Sequence, residues 1–345
     1  MSNETPPAQP STALAAWFGA FASVEEALAA VQVWWLVWGA AEAGLLDVAR
    51  QPCTLDELAA RTSASSEVVA IACEALRLAG VLTCDAERYV LSPTWQALTD
   101  PSGFQPWTTS FGMVDARTRM LRDVFHDGGG YFGDDAADRL AYAKGTSPDP
   151  FRPGVGEMYR ANMSATPELF ALLDRPCDFL ELGCGVAGNL CSQLQAFASM
   201  RAVGVELQPE LADEARRRAV ALGIDGRFEV VTADVTNFRR SASFDLAFWS
   251  QMFFPAESRA AALATAYDSL RPGGLLMSPV MDPDENDTAL TLHALIEDII
   301  STSWKVPAVR PDGLAAEFEA AGFVDVHLVH RVSSLLVVGH RPLSG

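Results

Sequence analysis

The chain is predicted to be an α/β protein: a doubly wound, largely parallel sheet with helices on both faces, preceded by an all-helical, winged-helix amino-terminal part. Three observations predict this. From Asp178 onward, short apolar runs (179–182, 202–206, 228–231, 245–248 and 274–277) alternate with helical segments, the pattern of βαβ units. A glycine-rich turn, Gly183-Cys184-Gly185-Val186-Ala187-Gly188, follows the first run directly. Earlier in the chain, two helical patterns and an alternating hairpin pattern lie between Thr54 and Leu91.

Each element has a local cause. The first dozen residues, rich in Pro, Ser, Thr and Gln, read as a flexible tail. Leu14 to Leu46 is helical and strongly apolar; its stretch from Ala27 to Ala41, with Trp34, Trp35 and Trp38, falls short of the roughly 18 to 20 residues that cross a bilayer. We expect a buried helix there, suited to a subunit interface. Thr54-Leu55-Asp56-Glu57 has the form of a capping box, and Ser65 or Ser66 caps a helix with Val69, Ala72, Leu76 and Leu78 on its apolar face. Val81-Leu82-Thr83 and Arg88-Tyr89-Val90-Leu91 then alternate as a short hairpin. Glycines at 128–130 and 133, and the prolines of the loop 145–156, mark a linker. Domain limits of 12–105, 106–149 (a helical linker) and 150–345 follow, with the runs at 323–328 and 334–339 as the last two strands.

Composition narrows the function. The 345 residues carry 25 Lys and Arg against 44 Asp and Glu, a formal charge of −19. Attraction to a polyphosphate backbone comes from cations displacing counterions, so a nucleic-acid partner is disfavoured. Six scattered cysteines with no C-x-x-C pair and no signal-peptide pattern suggest a reduced, cytoplasmic setting, without a membrane partner. Their spacing with histidine supports no zinc site.

The chemistry centres on the glycine turn. Glycine permits turn angles closed to other residues and lets a ligand approach the backbone. Glu206 ends the second run, 21 positions after Gly185, where a carboxylate can accept hydrogen bonds from both hydroxyls of a ribose. A third run leads into Asp234 and Val235, at the level of a nucleobase, and Leu207 adjoins Glu206. A dinucleotide enzyme would share the first two features. The whole ordered series, from Asp178 to Met277 through Phe244-Asp245-Leu246-Ala247-Phe248-Trp249 and Leu270-Arg271-Pro272-Gly273-Gly274, resembles the class I S-adenosylmethionine-dependent methyltransferases, whose domain is Rossmann-like.

Together with the winged-helix pattern and Tyr159-Arg160-Ala161-Asn162-Met163 ahead of the first strand, nearly the whole chain resembles the small-molecule O-methyltransferases of plant caffeate type and their bacterial natural-product relatives. The resemblance implies S-adenosyl-L-methionine as cofactor, a homodimer formed through the amino-terminal domain, and an acceptor from secondary metabolism. It places Tyr159 and Met163 near cofactor and substrate, and Glu181, Gly183 and Gly185 at the methionine part. Glu206 falls to the ribose, Asp234 and Val235 to the adenine, and Trp249, Ser250 and Gln251 to the side facing the acceptor.

One feature departs from that family. Many members carry a catalytic His followed by Asp after the fourth strand, where this chain has Gln251 and Met252, neither a base at neutral pH. Methyl transfer from a sulfonium needs alignment, worth up to about 7 to 11 kcal/mol in intramolecular analogues, and needs a base only when the nucleophile arrives protonated. Candidate catalytic residues are therefore His293 and Glu297, four apart on one helix face, with Gln251 closing the site. The oxygen-rich run Asp282–Asp287 could attract a hard cation, although acidic loops are commonly just solvated, and no metal is assigned. Trp249, Phe253, Phe254 and Trp304 favour an aromatic, polyketide or isoprenoid-like acceptor. The competing readings are a cofactor-binding protein of this fold that does not methylate and, more remotely, a winged-helix DNA regulator.

Overall fold

The computed structural model describes residues 12–101, 106–126, 135–164, 166–282, 288–331 and 335–343. It divides into two units, 1–100 and 101–345. In the first, α1 (Thr12–Glu42) and α2 (Leu45–Val48) precede α3 (Leu55–Ala59), α4 (Ser66–Leu78), the hairpin β1 (Leu82–Asp85) with β2 (Arg88–Leu91), and α5 (Pro93–Leu98). The capping box at Thr54 is formed: its backbone N–H donates to Glu57 at 2.7 Å while its Oγ1 accepts from the Glu57 N–H at 3.3 Å. The Ser65 hydroxyl caps α4, which buries Val69, Cys73 and Leu76. Leu78, expected on that face, is exposed, because the helix ends there before its last turn can pack. Within its own unit the first helix is not buried. Trp17, Phe18, Val31 and Trp35 on α1 are each more than half exposed, since apolar residues surround the helix on all sides and one small unit covers only one of them.

The second unit opens with α6 (Thr109–Asp123), α7 (Ala136–Gly145), α8 (Val155–Ser164) and α9 (Pro167–Leu173). The alternating part then runs β3 (Cys177–Leu182), α10 (Gly188–Ala196), β4 (Met200–Glu206), α11 (Pro209–Ala221), β5 (Phe228–Thr232), β6 (Phe244–Trp249), α12 (Ala256–Ser269) and β7 (Leu270–Val280). Helices α13 (Thr288–Ser303) and α14 (Pro311–Ala320) and strands β8 (Val324–His330) and β9 (Leu335–His340) complete it.

The seven-stranded sheet has the order β5-β4-β3-β6-β7-β9-β8. Strands β3 to β7 pair in parallel and β9 runs antiparallel to both neighbours, so the expected doubly wound architecture is present. Central parallel strands are covered on both faces, which is why β3 reads as a continuous apolar run. Phe179 packs on one face with Leu169 and Leu173 of α9 and Leu190 and Leu194 of α10. Leu180 and Leu182 pack on the other with Ala262, Leu263 and Ala266 of α12 and Leu314 and Phe318 of α14. Each such side chain contributes about 1.5 to 3 kcal/mol of burial. These layers hold the carboxyl ends of β3 and β6 in register where the strand order reverses. Ligands of open α/β sheets bind at such a crevice.

Candidate active site

A cavity of about 400 Å³ opens at that reversal. Its floor is the glycine turn. Gly183 and Gly185 have φ of +75° and +54°, a region costly for residues with a Cβ. A Cβ on Gly183 would lie 2.8 Å from the Phe254 ring, whereas above Gly185 nothing lies within 4 Å. The turn therefore holds an aromatic ring against one glycine and leaves open space over the other. Helix α10 begins from this floor with Ala187 as its N-cap and no side-chain cap, leaving amide donors of its first turn for a ligand.

Two carboxylates border the turn. Glu206, at the end of β4 and only 6% exposed, accepts hydrogen bonds from the Gly185 N–H and the Gln208 N–H, both at 2.8 Å. Burial pushes its pKa up, and those amides pull against the rise. A carboxylate has about four lone-pair sites, and the Leu207 amide also bonds to this one, so about one remains for another donor. Glu181, 3% exposed, is held more tightly out of water, and its Oε2 is buried with no hydrogen-bond partner. Burial first, then the neighbouring Glu206 charge, raises its pKa to about 8. A buried acid oxygen lacking a donor, on a cavity wall, is a site for a cation or a hydrogen-bond donor.

The far wall comes from the loops after β5 and β6. Asp234 Oδ1 accepts from the Thr236 N–H and hydroxyl, each at 2.8 Å, which fixes the turn carrying Val235. Leu207, Ser250, Phe253 and Phe254 also line the cavity. Helix α7 closes it with Tyr142 and Ala143, followed by Thr146 and Ser147. That helix is pinned to α11 by Arg139, whose guanidinium pairs with Glu210 at 2.6 Å.

A second cavity of about 240 Å³ adjoins the first, and Tyr142, Thr146 and Phe253 line both. Its other walls include Gln251, Met252, Met281, His293, Glu297 and Trp304. Tyr142 stands edge-on to Trp304 and Phe253, with ring centroids 5.4 and 6.4 Å away. Its hydroxyl is hydrogen-bonded to Glu297, and burial keeps that phenol neutral by raising its pKa. Arg117 on α6 pairs with the same carboxylate at 2.5 Å. His293 Nε2 lies 3.8 Å from Glu297 on the solvent side, its side chain 58% exposed.

Residues 179–274 match a family model described as a methyltransferase domain. This segment is a methyltransferase domain. No curated protein gives a significant sequence match. Solved structures similar to the chain include an O-methyltransferase family protein from Burkholderia thailandensis, with 17% identity, a TM-score of 0.68, and 98% of this chain and 100% of that one covered. Human N-acetylserotonin methyltransferase, solved with S-adenosylmethionine, is 14% identical with a TM-score of 0.66 over 99% of this chain and 100% of its own. Mitomycin 7-O-methyltransferase is 17% identical with a TM-score of 0.65 over 95% and 99%. At these identities the likeness is one of fold.

Within the methyltransferase domain and its flanks, the residues expected at the site divide into two groups. Glu181, Gly183, Gly185, Glu206, Leu207, Asp234, Val235 and Ser250 lie together around the larger cavity, and His293, Glu297 and Gln251 around the smaller. Three expected cofactor contacts lie elsewhere. Met163 is packed in the core beside Leu169 and Leu173. Tyr159, on the same face of α8, is buried with its hydroxyl on Asn189 Oδ1. Trp249 is fully buried beneath the Arg259 guanidinium, because strand alternation turns it to the face opposite Ser250. Gln251 lines its cavity with both ends of its amide engaged, Oε1 accepting from Arg259 at 2.9 Å and Nε2 donating to the Pro279 carbonyl at 3.2 Å.

Sequence reasoning missed Tyr142, Thr146, Ser147 and Arg117. The one signal was an arginine and a tyrosine spaced three apart in an alanine-rich linker helix, Arg139 and Tyr142, both of which prove buried. The glycine-rich stretch at 127–134 and the acidic positions 283–287 lie outside the described residues. Among the described residues no group of three or more His, Cys, Asp and Glu side chains could hold a metal ion.

Proposed function

We propose that the chain transfers a methyl group from S-adenosyl-L-methionine to a small, largely apolar acceptor, with the cofactor in the larger cavity and the acceptor in the smaller. The observation that carries this is the shared wall: two cavities of unequal size and polarity meet at Tyr142, Thr146 and Phe253. The larger suits a nucleoside with a cationic tail, since Glu181 has a buried, unpartnered oxygen and Glu206, held by neighbouring backbone amides, keeps acceptor capacity for a ribose hydroxyl. The bound cofactor would supply an electrophilic methyl carbon on a sulfonium.

The chain's own contribution is alignment and dryness. Tyr142, Phe253 and Trp304 present aromatic edges and faces that keep water from the junction. Gln251 is occupied in holding Arg259 and takes no part in proton transfer. A proton leaving the acceptor has a path outward through the Tyr142 hydroxyl to Glu297 and then to His293, which faces solvent. These side chains support an aromatic, polyketide or isoprenoid-like natural product as acceptor. We also assign the exposed apolar surface of α1, with Trp17, Phe18 and Trp35, to contact with a second copy of the chain, giving a homodimer. The DNA-regulator reading loses support because Arg77 on α4 is tied to Glu74 at 2.6 Å.

Calorimetric titration tests the cofactor reading. S-adenosylhomocysteine should bind with saturating heat and NADH should not; heat with NADH alone would overturn it. Formation of S-adenosylhomocysteine on incubation with S-adenosylmethionine and a panel of phenolic, polyketide and isoprenoid acceptors tests transfer. Saturable cofactor binding without turnover on any panel member would favour the non-methylating reading.

A further inference from the structure

Helix α7 is held differently on its two sides. Toward the smaller cavity its Tyr142 packs in an apolar cluster with Met120 of α6, Ile300 of α13, Trp304 and Val306. Helix α6 lies close against it: a Cβ on Gly145 would fall 2.3 Å from the Met113 side chain, and the Arg119 guanidinium forks onto Asp138 at 2.6 and 3.0 Å. The two helices therefore make one piece with an apolar seat. Toward the larger cavity, α7 meets α11 through charge. Arg139, 8% exposed, sets Nε and Nη2 on Glu210 Oε1 at 2.7 and 2.6 Å, and Lys144 reaches Glu214 at 3.5 Å.

The charged side is the one over the glycine turn. Tyr142 and Ala143 of α7 stand in the wall of the larger cavity, and Thr146 and Ser147 continue it. Glu210 is in the first turn of α11, four positions after Glu206, and its charge acts on that carboxylate. Salt screens such pairs and leaves the apolar seat in place. We propose that Arg139 is a positioning residue: with Glu210 it latches α7 over the larger cavity, so that a bound nucleoside leaves when this pair parts. The cluster around Tyr142 is the seat on which α6 and α7 tilt. The latch sets how long the ligand stays, and it rests on the cofactor reading above.

Surface plasmon resonance, with the full chain immobilised and S-adenosylhomocysteine as the probe, reads kon and koff separately. Arg139→Gln and Glu210→Gln should each raise koff about tenfold and leave kon within about twofold. The double variant should do no more than either single one, because one pair breaks only once. Matching effects also exclude a stray charge, since Arg139→Gln leaves Glu210 charged near Glu206 and Glu210→Gln does not. Raising sodium chloride from about 50 to about 500 mM should speed release from wild type more than from the double variant. The wild-type salt response tests the latch without any substitution, and a saturating signal shows that each variant is folded. An unchanged koff, a loss confined to kon, additive effects in the double variant or a wild-type release indifferent to salt would each overturn the latch and leave the cofactor reading standing. Wild-type protein that does not bind S-adenosylhomocysteine overturns both.

Discussion

Glu181→Gln should stabilise the ligand-free protein and weaken it as a binder, and the size of the first effect follows from burial. The carboxyl has an ordinary pKa of 4.5, raised to about 8 in the folded chain by loss of water and by Glu206. An acid whose folded value lies above its unfolded one costs nothing below pH 4.5. It destabilises progressively as pH rises toward 8, where the unfolded chain ionises and the folded one resists. At about 1.4 kcal/mol per pH unit, the interval from 4.5 to pH 7 corresponds to about 3 kcal/mol, and at pH 5 to under about 1 kcal/mol. Gln is nearly isosteric and uncharged, so urea unfolding at pH 5, 7 and 8.5 should show the variant pulling ahead of wild type by a widening margin. Ligand binding supplies a second readout. An ammonium placed on Glu181 drives it to ionise, so wild type should release about 0.9 proton per S-adenosylhomocysteine bound at pH 7. That release appears as a dependence of binding heat on buffer ionisation enthalpy, and the variant should lack it. A margin equal at pH 5 and pH 8.5, or binding without proton release, would show that Glu181 is already ionised in the free protein.

Other positions give simpler expectations. Glu206→Ala strips acceptors from the Gly185 and Gln208 amides, so stability should fall by about 2 kcal/mol and S-adenosylhomocysteine affinity by more than about tenfold, read by thermal shift and calorimetry. Gly185→Leu pays about 1 to 2 kcal/mol for its φ of +54°, yet its Cβ meets nothing within 4 Å; the chain should fold and its cavity should be blocked to both S-adenosylhomocysteine and methylthioadenosine. Gln251→Ala should cost about 1 to 3 kcal/mol by leaving Arg259 short of an acceptor, while S-adenosylhomocysteine affinity stays within about twofold of wild type. A loss of affinity without a loss of stability would place Gln251 against the cofactor instead of Arg259.

Much of the fold was legible because its signals are local. Central parallel strands announce themselves as unbroken apolar runs, and Gly183, Gly185 and Glu206 sit where backbone angles and strand ends fix their placement. What stayed hidden depends on partners remote in sequence. Tyr142 reaches the cavity only because Arg139 ties α7 to Glu210 on α11, 71 positions away. Trp249 was read as lining the site from its place beside Ser250, although neighbours on a strand face opposite ways. The resemblance placed Tyr159 and Met163 near cofactor and substrate, but both side chains are buried, Met163 in the core beside α9 and Tyr159 with its hydroxyl on Asn189. For α1 the apolar composition was plain, and composition alone does not say what covers a helix.

The absence of a base at position 251 has a structural reason in Arg259. This guanidinium is 4% exposed, stacked on Trp249 at 4.8 Å, and held by Glu317 at 2.6 Å together with the backbone and side-chain oxygens of Gln251. A buried cation needs acceptors on every side, and an amide oxygen serves without adding charge. A histidine in the same place would have to present its acceptor nitrogen to Arg259, and the adjacent positive charge would oppose protonation, the step a general base must undergo. The fold therefore cannot keep Arg259 and also use residue 251 as the proton acceptor. Across the smaller cavity Glu297 is also paired with a guanidinium, Arg117 at 2.5 Å, so the same argument holds it ionised; what differs is that the exposed imidazole of His293, 3.8 Å from that carboxylate, has no guanidinium of its own among the ion pairs of the described residues.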